Sequence, residues 1–268
     1  MPDWPAWLTA LLFVTNLLSL ATLYVVTRRM LKLRRRKKRE FVFSSYPVRK
    51  VKLEDVAPCF RMTRYGPSPE SEVRFIGGEG VVASLTDRES WIMAALAKGA
   101  KRIFEFGTCS GKTAHVFALN AAPDAEIHTL TLHPDDLAET KFGLGDDREH
   151  RDIAAAESSF ETFFYNGLPT EKKVSQIFSD SKSYDEEPLR GSVDLVFIDG
   201  AHTRSYVESD TRKALNMLKE EGVIMWHDYK PEAPDVFAFL NDLSKTFPLV
   251  HIAETDLVMY RRVTPSRA

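Results

Sequence analysis

Apolar positions divide the chain into one long uninterrupted apolar stretch near the start and a body in which short apolar runs alternate with amphipathic segments. The runs predict strands and the segments of 3.6 periodicity predict helices. The predicted strands are 102–106, 126–132, 174–179, 193–198, 223–226, 249–253 and 257–261, and the predicted helices are 111–121, 147–165, 206–219 and 235–247. Alternating strands and helices indicate right-handed βαβ units. We therefore predict an α/β fold with a doubly wound, mostly parallel seven-stranded sheet that ends in an antiparallel hairpin.

The segment before the first of these strands has two parts. Residues 41–82 contain four prolines and a cluster of glycines without sustained periodicity, so we predict a linker and lead-in. Thr86 is followed three residues later by Glu89, a capping-box pattern, and apolar residues then recur on one face up to about Gly99. The main domain is therefore expected to cover 83–268 and to begin with a short helix.

The uninterrupted apolar stretch, residues 4–27, carries no charged side chain. As a helix it spans roughly 35 Å, and a bilayer core is about 30 Å thick. The run RRMLKLRRRKKR follows at 28–39 with nine basic residues and no acid, the reverse of the charge order in a secretory signal. We predict a transmembrane anchor at 1–27, a polybasic segment at 28–40 that attracts anionic lipids, and a single-pass protein with its main domain on the cytoplasmic side.

The remaining composition narrows the class of protein. Residues 41–268 hold 27 basic and 36 acidic side chains, which disfavours a broad nucleic-acid-binding face. The two cysteines, Cys59 and Cys109, cannot build a disulfide scaffold and lack the spacing of a zinc site. The body is therefore expected to occupy a reducing compartment and to bind no nucleic acid.

The first strand of the main domain leads into a turn with the sequence FGTCSGKT. Gly111, Lys112 and Thr113 match the end of a phosphate-binding P-loop, but Phe106 stands where its first glycine is required. A dinucleotide fingerprint also fails, because Cys109 replaces its second glycine. A plain strand-to-helix turn and a turn that holds S-adenosylmethionine remain open, since both need glycines and exposed N–H groups at a helix start.

The pattern E-x-G-x-x-x-G, formed by Glu105, Gly107 and Gly111, resembles the first cofactor motif of class I methyltransferases. This resemblance implies that S-adenosylmethionine is the cofactor. It also implies that these three residues and Thr108 contact it.

Two downstream motifs, FIDGAH and WHDY, place Asp199, His202, His227 and Asp228 just after neighbouring predicted strands. Together with the first motif they resemble the group that contains macrocin and rhamnosyl O-methyltransferases and cephalosporin hydroxylase-like proteins, and more distantly catechol O-methyltransferases. The resemblance covers about 81–262 and implies a divalent cation held by Asp199, His227 and Asp228. Two carboxylates suit Mg²⁺, whereas an imidazole shifts the preference toward Mn²⁺ or Fe²⁺. The alternatives are a capping role for Asp199 and a structural role for His227.

Further residues are expected in the site, His202 from the chemistry of its imidazole and the others from the resemblance. His202 is the expected general base, acting beside Asp199 at the catalytic centre, although a histidine in a surface loop would look the same. Thr131 stands where class I enzymes carry a ribose-binding acid, and Asp135 or Asp136 could supply that acid instead. Asp180 and Ser181 match the positions that contact adenine, and Asp199 is also expected to line the cofactor site.

These observations predict a membrane-anchored, S-adenosylmethionine-dependent O-methyltransferase that uses a divalent cation and acts on a hydroxyl group of a small molecule, a glycan or a lipid-linked compound. A non-catalytic cofactor-binding or scaffold protein on the same fold is the main alternative, because Thr131 departs from the family pattern. An iron-dependent hydroxylase is a third hypothesis, suggested by the histidine in the expected cation site.

Overall fold

The computed structural model describes residues 5–44, 46–81, 84–135 and 158–262. The chain forms two compact units, 1–46 and 47–268. The first unit contains the helix α1 (Ala6–Ser44), within which Ala10–Leu31 is long and apolar enough to cross a membrane. The predicted apolar helix is thus present, and it continues through the basic run instead of ending at residue 27. A signal sequence would meet the same criteria of length and composition.

The second unit is built on an eight-stranded sheet with a separate two-stranded hairpin. The strands are β1 (Arg49–Val51), β2 (Met62–Thr63), β3 (Gly66–Pro67), β4 (Arg102–Phe106), β5 (Glu126–Thr131), β6 (Val174–Phe178), β7 (Val193–Ile198), β8 (Leu218–Trp226), β9 (Val250–Ile252) and β10 (Val258–Arg261). The order in the sheet is β1-β9-β10-β8-β7-β4-β5-β6, and only β10 runs antiparallel to its neighbours. The predicted mostly parallel α/β sheet and its closing antiparallel hairpin are confirmed.

Within the described residues, four further α-helices accompany the sheet: α2 (Asp87–Ala97), α3 (Lys112–Asn120), α4 (Arg204–Met217) and α5 (Pro234–Leu243). Helix α2 packs on α3, and α4 packs on α5, as a doubly wound fold requires. The predicted capping box is present, because the hydroxyl of Thr86 accepts from the N–H of Glu89 while the Glu89 carboxylate accepts from the N–H of Thr86.

The sheet has eight strands instead of seven because β1 lies inside the predicted linker and pairs in parallel with β9. Val51, Val56 and Phe60 are buried in the core of the second unit. From residue 47 onward the segment is therefore part of the folded body. Its apolar residues anchor short turns among prolines, and such turns produce neither a 2-residue nor a 3.6-residue period.

The helix predicted at 147–165 falls mostly outside the described residues, but 158–165 consists of turns and bends. Phe163 and Tyr165 are both buried and stack at 5.5 Å between ring centroids. A separation of two residues puts side chains on opposite sides of a helix, so the shared packing of these two rings excludes one here.

The register of the central strands brings their carboxyl ends level. Phe106 pairs with Ile198, and Ile198 pairs with Trp226. The next residue along each strand, at positions 107, 199 and 227, therefore emerges at the same edge of the sheet. In a doubly wound fold, this edge is where ligands bind.

Candidate functional site

The turn after β4 fits against the chain after β7 so closely that only glycine can begin it. Gly107 has a φ of +97°, and a Cβ there would lie 2.1 Å from the carbonyl oxygen of Asp199. Gly111 has a φ of +76°, and a Cβ there would lie 2.8 Å from atoms of both Phe163 and Tyr165. The two glycines of the sequence motif are thus required by packing as well as by backbone conformation.

A first cleft of about 640 Å³ opens on one side of this turn. Its walls include predicted site residues from four strand ends, namely Gly107, Thr131, Asp180, Ser181 and Asp199. The hydroxyl of Tyr206 donates to Asp180 Oδ2 over 3.2 Å and completes one side.

A second cleft, of about 820 Å³, opens on the other side of the turn. Gly107, Cys109 and Asp199 line both clefts. The second cleft is otherwise polar and carries many charges, with the lining residues Ser84, Thr108, Ser110, Lys112, Thr113, His202, His227, Asp228 and Lys230. An elongated ligand that lies across the turn would reach both spaces.

Glu105 lies beneath the turn and lines neither cleft. Its carboxyl group is buried, Oε2 accepts a 2.5 Å hydrogen bond from Thr129, and Oε1 has no hydrogen-bond partner. Thr129 is 2.8 Å from the hydroxyl of Thr108, which accepts from Gln176 over 3.2 Å. Burial raises the pKa of Glu105 to about 8, so the group is neutral at pH 7. Glu105 thus supports the turn from below.

His227 lies between two carboxylates at the edge of the sheet. Its Nδ1 donates to Asp199 Oδ1 over 3.0 Å, and its Nε2 lies 3.5 Å from Glu89 Oε2. Burial disfavours a charged imidazole here, but Asp199, Asp228 and Glu89 together outweigh that effect and raise the pKa of His227 well above its usual value. Burial likewise opposes ionisation of Glu89, yet the bonds and charge of His227 lower its pKa to about 2. A charged imidazole at His227 thus favours the ionised form of Glu89.

His202 and Asp228 form the second pair at this edge, with His202 Nε2 2.8 Å from Asp228 Oδ2. The other oxygen of Asp228 is bound by the ammonium of Lys230, which also lies 3.4 Å from Asp256. Burial would raise the pKa of Asp228, but bonds from His202 and His227 hold it well below its usual range. Asp228 has a φ of +57°, a left-handed backbone that aspartate tolerates better than most residues.

Asp199, His202 and Asp228 bring three ligand atoms within 4.8 Å of one another, a spacing suited to one metal ion. This set differs from the predicted one because it contains His202 where the sequence suggested His227. The reason is geometric: both ring nitrogens of His227 already face carboxylates. Two carboxylates and one imidazole fit a divalent cation, and they differ from the two histidines and one carboxylate of many non-haem iron oxygenases.

Sequence reasoning passed over three residues of this region. Glu89 was recognised only as a helix cap, and Lys230 was not singled out. Asp210 is buried in the wall of the first cleft, with Oδ1 lacking a partner, and burial raises its pKa to about 7. Asp210 was recognised only as one residue of the helix α4. An acid on the buried face of a helix is unusual, and this pattern could have indicated a functional role. Asp135 is exposed and lines neither cleft, and Asp136 lies outside the described residues.

Comparison with protein families gives a match to one family, described as a methyltransferase domain, over residues 104–229. The matched segment includes the motif at Glu105–Gly111 and both motifs that carry Asp199 and Asp228. It confirms the expectation of a methyltransferase drawn from those motifs. No curated protein matches the chain in sequence.

Several solved structures are similar to the chain at low sequence identity. Cofactor-bound Rv0187 from MTB is 16% identical, with a TM-score of 0.44, and the match covers 72% of this chain and 85% of that one. The O-methyltransferase TomG from Streptomyces achromogenes, involved in tomaymycin synthesis and solved with SAM, is 16% identical, with a TM-score of 0.44. That match covers 68% of this chain and 82% of TomG. The SAH-bound methyltransferase PaMTH1 from Podospora anserina is 19% identical, with a TM-score of 0.46. That match covers 68% of this chain and 80% of PaMTH1.

Proposed function

We propose that this chain, which carries a methyltransferase domain over residues 104–229, transfers a methyl group from S-adenosylmethionine to a hydroxyl group of an acceptor. One observation carries the proposal. The two clefts share Gly107 and Asp199, and His202 and Asp228 in the second cleft each have a ligand atom within 4.8 Å of a ligand atom of Asp199. A methyl donor that lies across the turn would present its sulfonium beside groups that can activate a hydroxyl.

In this proposal the adenosine part of the donor occupies the first cleft. Asp180 and Ser181 offer polar atoms for adenine, and Thr131 offers a hydroxyl near the ribose. Thr131 cannot supply the carboxylate that class I enzymes usually place there. The Gly107 backbone, which no side chain shields, would lie against the sulfonium. The methionine part would extend into the second cleft.

The proposed reaction is an in-line displacement. The acceptor oxygen attacks the methyl carbon, the carbon–sulfur bond breaks, and its electron pair stays on sulfur to give S-adenosylhomocysteine. The acceptor proton passes to a nearby base or to water. Because the sulfonium already activates the methyl group, the protein has mainly to align the two partners and to ionise the hydroxyl.

Asp199, His202 and Asp228 are the residues that would hold a divalent cation. A bound cation would supply Lewis acidity that lowers the pKa of the acceptor hydroxyl. The imidazole in the set favours Mn²⁺ or Fe²⁺ over Mg²⁺. A neutral imidazole has one ring nitrogen with a free lone pair, so His202 acts either as a ligand of the cation or as the predicted general base. His227 and Lys230 neutralise one oxygen each of Asp199 and Asp228 and keep these side chains in place.

The helix α1 and its basic run support a location at a membrane, with α1 as a single-pass anchor and the methyltransferase domain on the cytoplasmic side. A tethered enzyme of this kind suits a lipid-linked acceptor or a small molecule that partitions into the membrane. The alternative of a non-catalytic cofactor-binding protein is favoured only by Thr131, where the ribose-binding acid is missing.

The test uses the purified full-length chain. Titration calorimetry should show one S-adenosylhomocysteine site per chain. Incubation of membranes with the enzyme and S-adenosylmethionine labelled on its methyl group should then transfer label to acceptor material in a His202-dependent way. Binding without transfer would favour the cofactor-binding alternative, and the absence of binding would refute the proposal.

A further inference from the structure

Lys112 is a buried cation on the wall of the second cleft. It follows Gly111 as the first residue of α3, and the residue is only 4% exposed. Its Nζ donates to the hydroxyl of Ser84 over 2.9 Å. A hydroxyl is a neutral acceptor, so this bond leaves the charge of the ammonium uncompensated.

Within the described part of the chain, Lys112 forms no ion pair, because no carboxylate oxygen lies within 4.0 Å of its Nζ. Burial lowers the pKa of Lys112, and the charge of Asp87, at longer range, opposes that effect. Asp87 itself accepts from the N–H of Gly78 over 3.1 Å. An ammonium taken out of water without a counter-charge is strongly unfavourable.

Two other lysines, Lys213 and Lys230, differ from Lys112 because each is paired with an acid. Lys213 is also 4% exposed, but it lies 3.2 Å from the carboxylate of Glu186. Lys230 binds Asp228 and Asp256. Each of these cations has an acid of the chain as its partner, whereas the space beside Lys112 is part of an open cleft.

We propose that Lys112 and Ser84 form a binding site for an anionic ligand group, a carboxylate or a phosphate, in the second cleft. The exposed N–H groups at the start of α3 would add to the attraction. This assigns a role to the Gly-Lys-Thr sequence, which the shortened loop excludes from P-loop chemistry. Two sources of the anion fit: the carboxylate of the methyl donor, and an acidic group of the acceptor. The inference rests on the proposed function for the identity of these ligands.

The first arm of the test compares two ligands that differ in the methionine part. S-adenosylhomocysteine carries the carboxylate, and 5′-methylthioadenosine lacks the whole amino acid group. If the donor supplies the anion, Lys112→Met should weaken S-adenosylhomocysteine binding by about 10-fold to 100-fold, as expected for loss of a charged hydrogen bond, and leave 5′-methylthioadenosine binding unchanged.

The second arm measures inorganic phosphate binding to the full-length chain loaded with S-adenosylhomocysteine. If the acceptor supplies the anion, phosphate should bind to the loaded wild-type protein and not to the loaded Lys112→Met protein, while cofactor affinity stays the same. Unchanged binding of both S-adenosylhomocysteine and phosphate in Lys112→Met would overturn the proposal.

Three further variants serve as controls for the effect of Lys112→Met on ligand binding. Lys112→Arg keeps the charge and should retain most of the binding, whereas Lys98→Met removes a lysine outside both clefts and should change nothing. Ser84→Ala gives a weaker version of the same defect if Lys112→Met fails to fold. Wild-type protein that binds phosphate but no S-adenosylhomocysteine would refute the proposed function and leave the anion site standing.

Discussion

Glu89 Oε2 lies 3.5 Å from His227 Nε2, although Glu89 belongs to the first turn of α2 and His227 follows β8. The other oxygen of Glu89 accepts a 2.8 Å bond from the N–H of Asp256. The carboxylate that caps α2 at Thr86 therefore also fixes the imidazole that binds Asp199. A local helix signal and a long-range site contact depend on the same side chain.

The substitution Glu89→Gln should reduce turnover and also lower stability, because both oxygens of Glu89 accept backbone N–H bonds and glutamine has only one acceptor oxygen. Glutamine keeps the size of the side chain and an oxygen for the helix cap, but it removes the charge that favours the imidazolium of His227. We expect kcat to fall by about tenfold and S-adenosylhomocysteine affinity to change less than about twofold, as for a loss of about 1.4 kcal/mol in transition-state stabilisation alone. Asp87→Asn, on the same helical turn, is the control. An unchanged kcat would show that Glu89 serves only the cap.

The substitutions Asp199→Asn and Asp228→Asn should each abolish turnover while cofactor affinity changes little. Each removes one carboxylate from the three-residue cluster and leaves a side chain of equal size. Treatment of the wild-type enzyme with a chelator should have the same effect, and Mn²⁺ should restore activity. Asp242→Asn, in an exposed ion pair with Lys245, is the control. Full activity after chelation would assign the hydroxyl proton to His202 as a general base without a cation.

Gly107→Ala should destabilise the fold far more than Gly167→Ala. Both glycines have a positive φ, +97° and +75°, so alanine is strained at either position by about 1 kcal/mol or more. Only at Gly107 does the new methyl group meet backbone, 2.1 Å from the Asp199 carbonyl oxygen, whereas nothing lies within 4 Å at Gly167. Thermal unfolding should rank wild type, Gly167→Ala and Gly107→Ala in that order. Equal shifts in Tm would contradict the close approach of the two turns.

Glu105→Gln should become increasingly stabilising, relative to wild type, as the pH rises from about 4.5 to about 8. The folded chain keeps a proton on Glu105 up to about pH 8, whereas the unfolded chain loses it near 4.5. In this window the folded state binds more protons, so the wild-type free energy of unfolding falls with pH, by up to about 1.4 kcal/mol per unit. Glutamine does not titrate. Unfolding both proteins at several pH values measures the difference, and a constant difference would show that Glu105 ionises normally.

The full-length chain should remain in the membrane fraction after washing with high salt and after alkaline extraction. Replacing Leu17 and Leu18 by arginine adds about 2.5 to 3.5 kcal/mol each to the free energy of insertion and should release the protein. The mass of the isolated chain should include the N-terminal segment. Loss of that segment would identify a signal sequence, and spontaneous recovery of intact chain in the soluble fraction would exclude an anchor.

The fold was largely predictable because its signals are local. Strands such as β4 and β7 are buried apolar runs, and the alternation with helices fixes the parallel arrangement. The strand β1 was missed because three residues among prolines produce no period. Its place in the sheet depends on β9, which lies about two hundred residues further along the chain.

The sequence predicted which strand ends form the site, but it did not predict which side chains bind one another there. Asp199, His202, His227 and Asp228 reach one edge, as the motifs indicated. Which histidine faces the carboxylate cluster depends on Glu89, a residue of a helix from another part of the sequence. The same holds for Lys112, whose lack of an ion pair among the described residues follows from tertiary packing and cannot be read from the order of residues.

The left-handed backbone at Asp228, with its φ of +57°, restricts what this position can become. Asparagine and glycine adopt that conformation with little strain, while longer or branched side chains do so at a cost of about 1 kcal/mol or more. Glutamate, the nearest acid in chemical terms, is thus a poor structural substitute. In a saturation mutagenesis library, the variants at position 228 that fold well should chiefly carry Asn or Gly. These variants would be abundant as folded protein but inactive, because they lack the carboxylate.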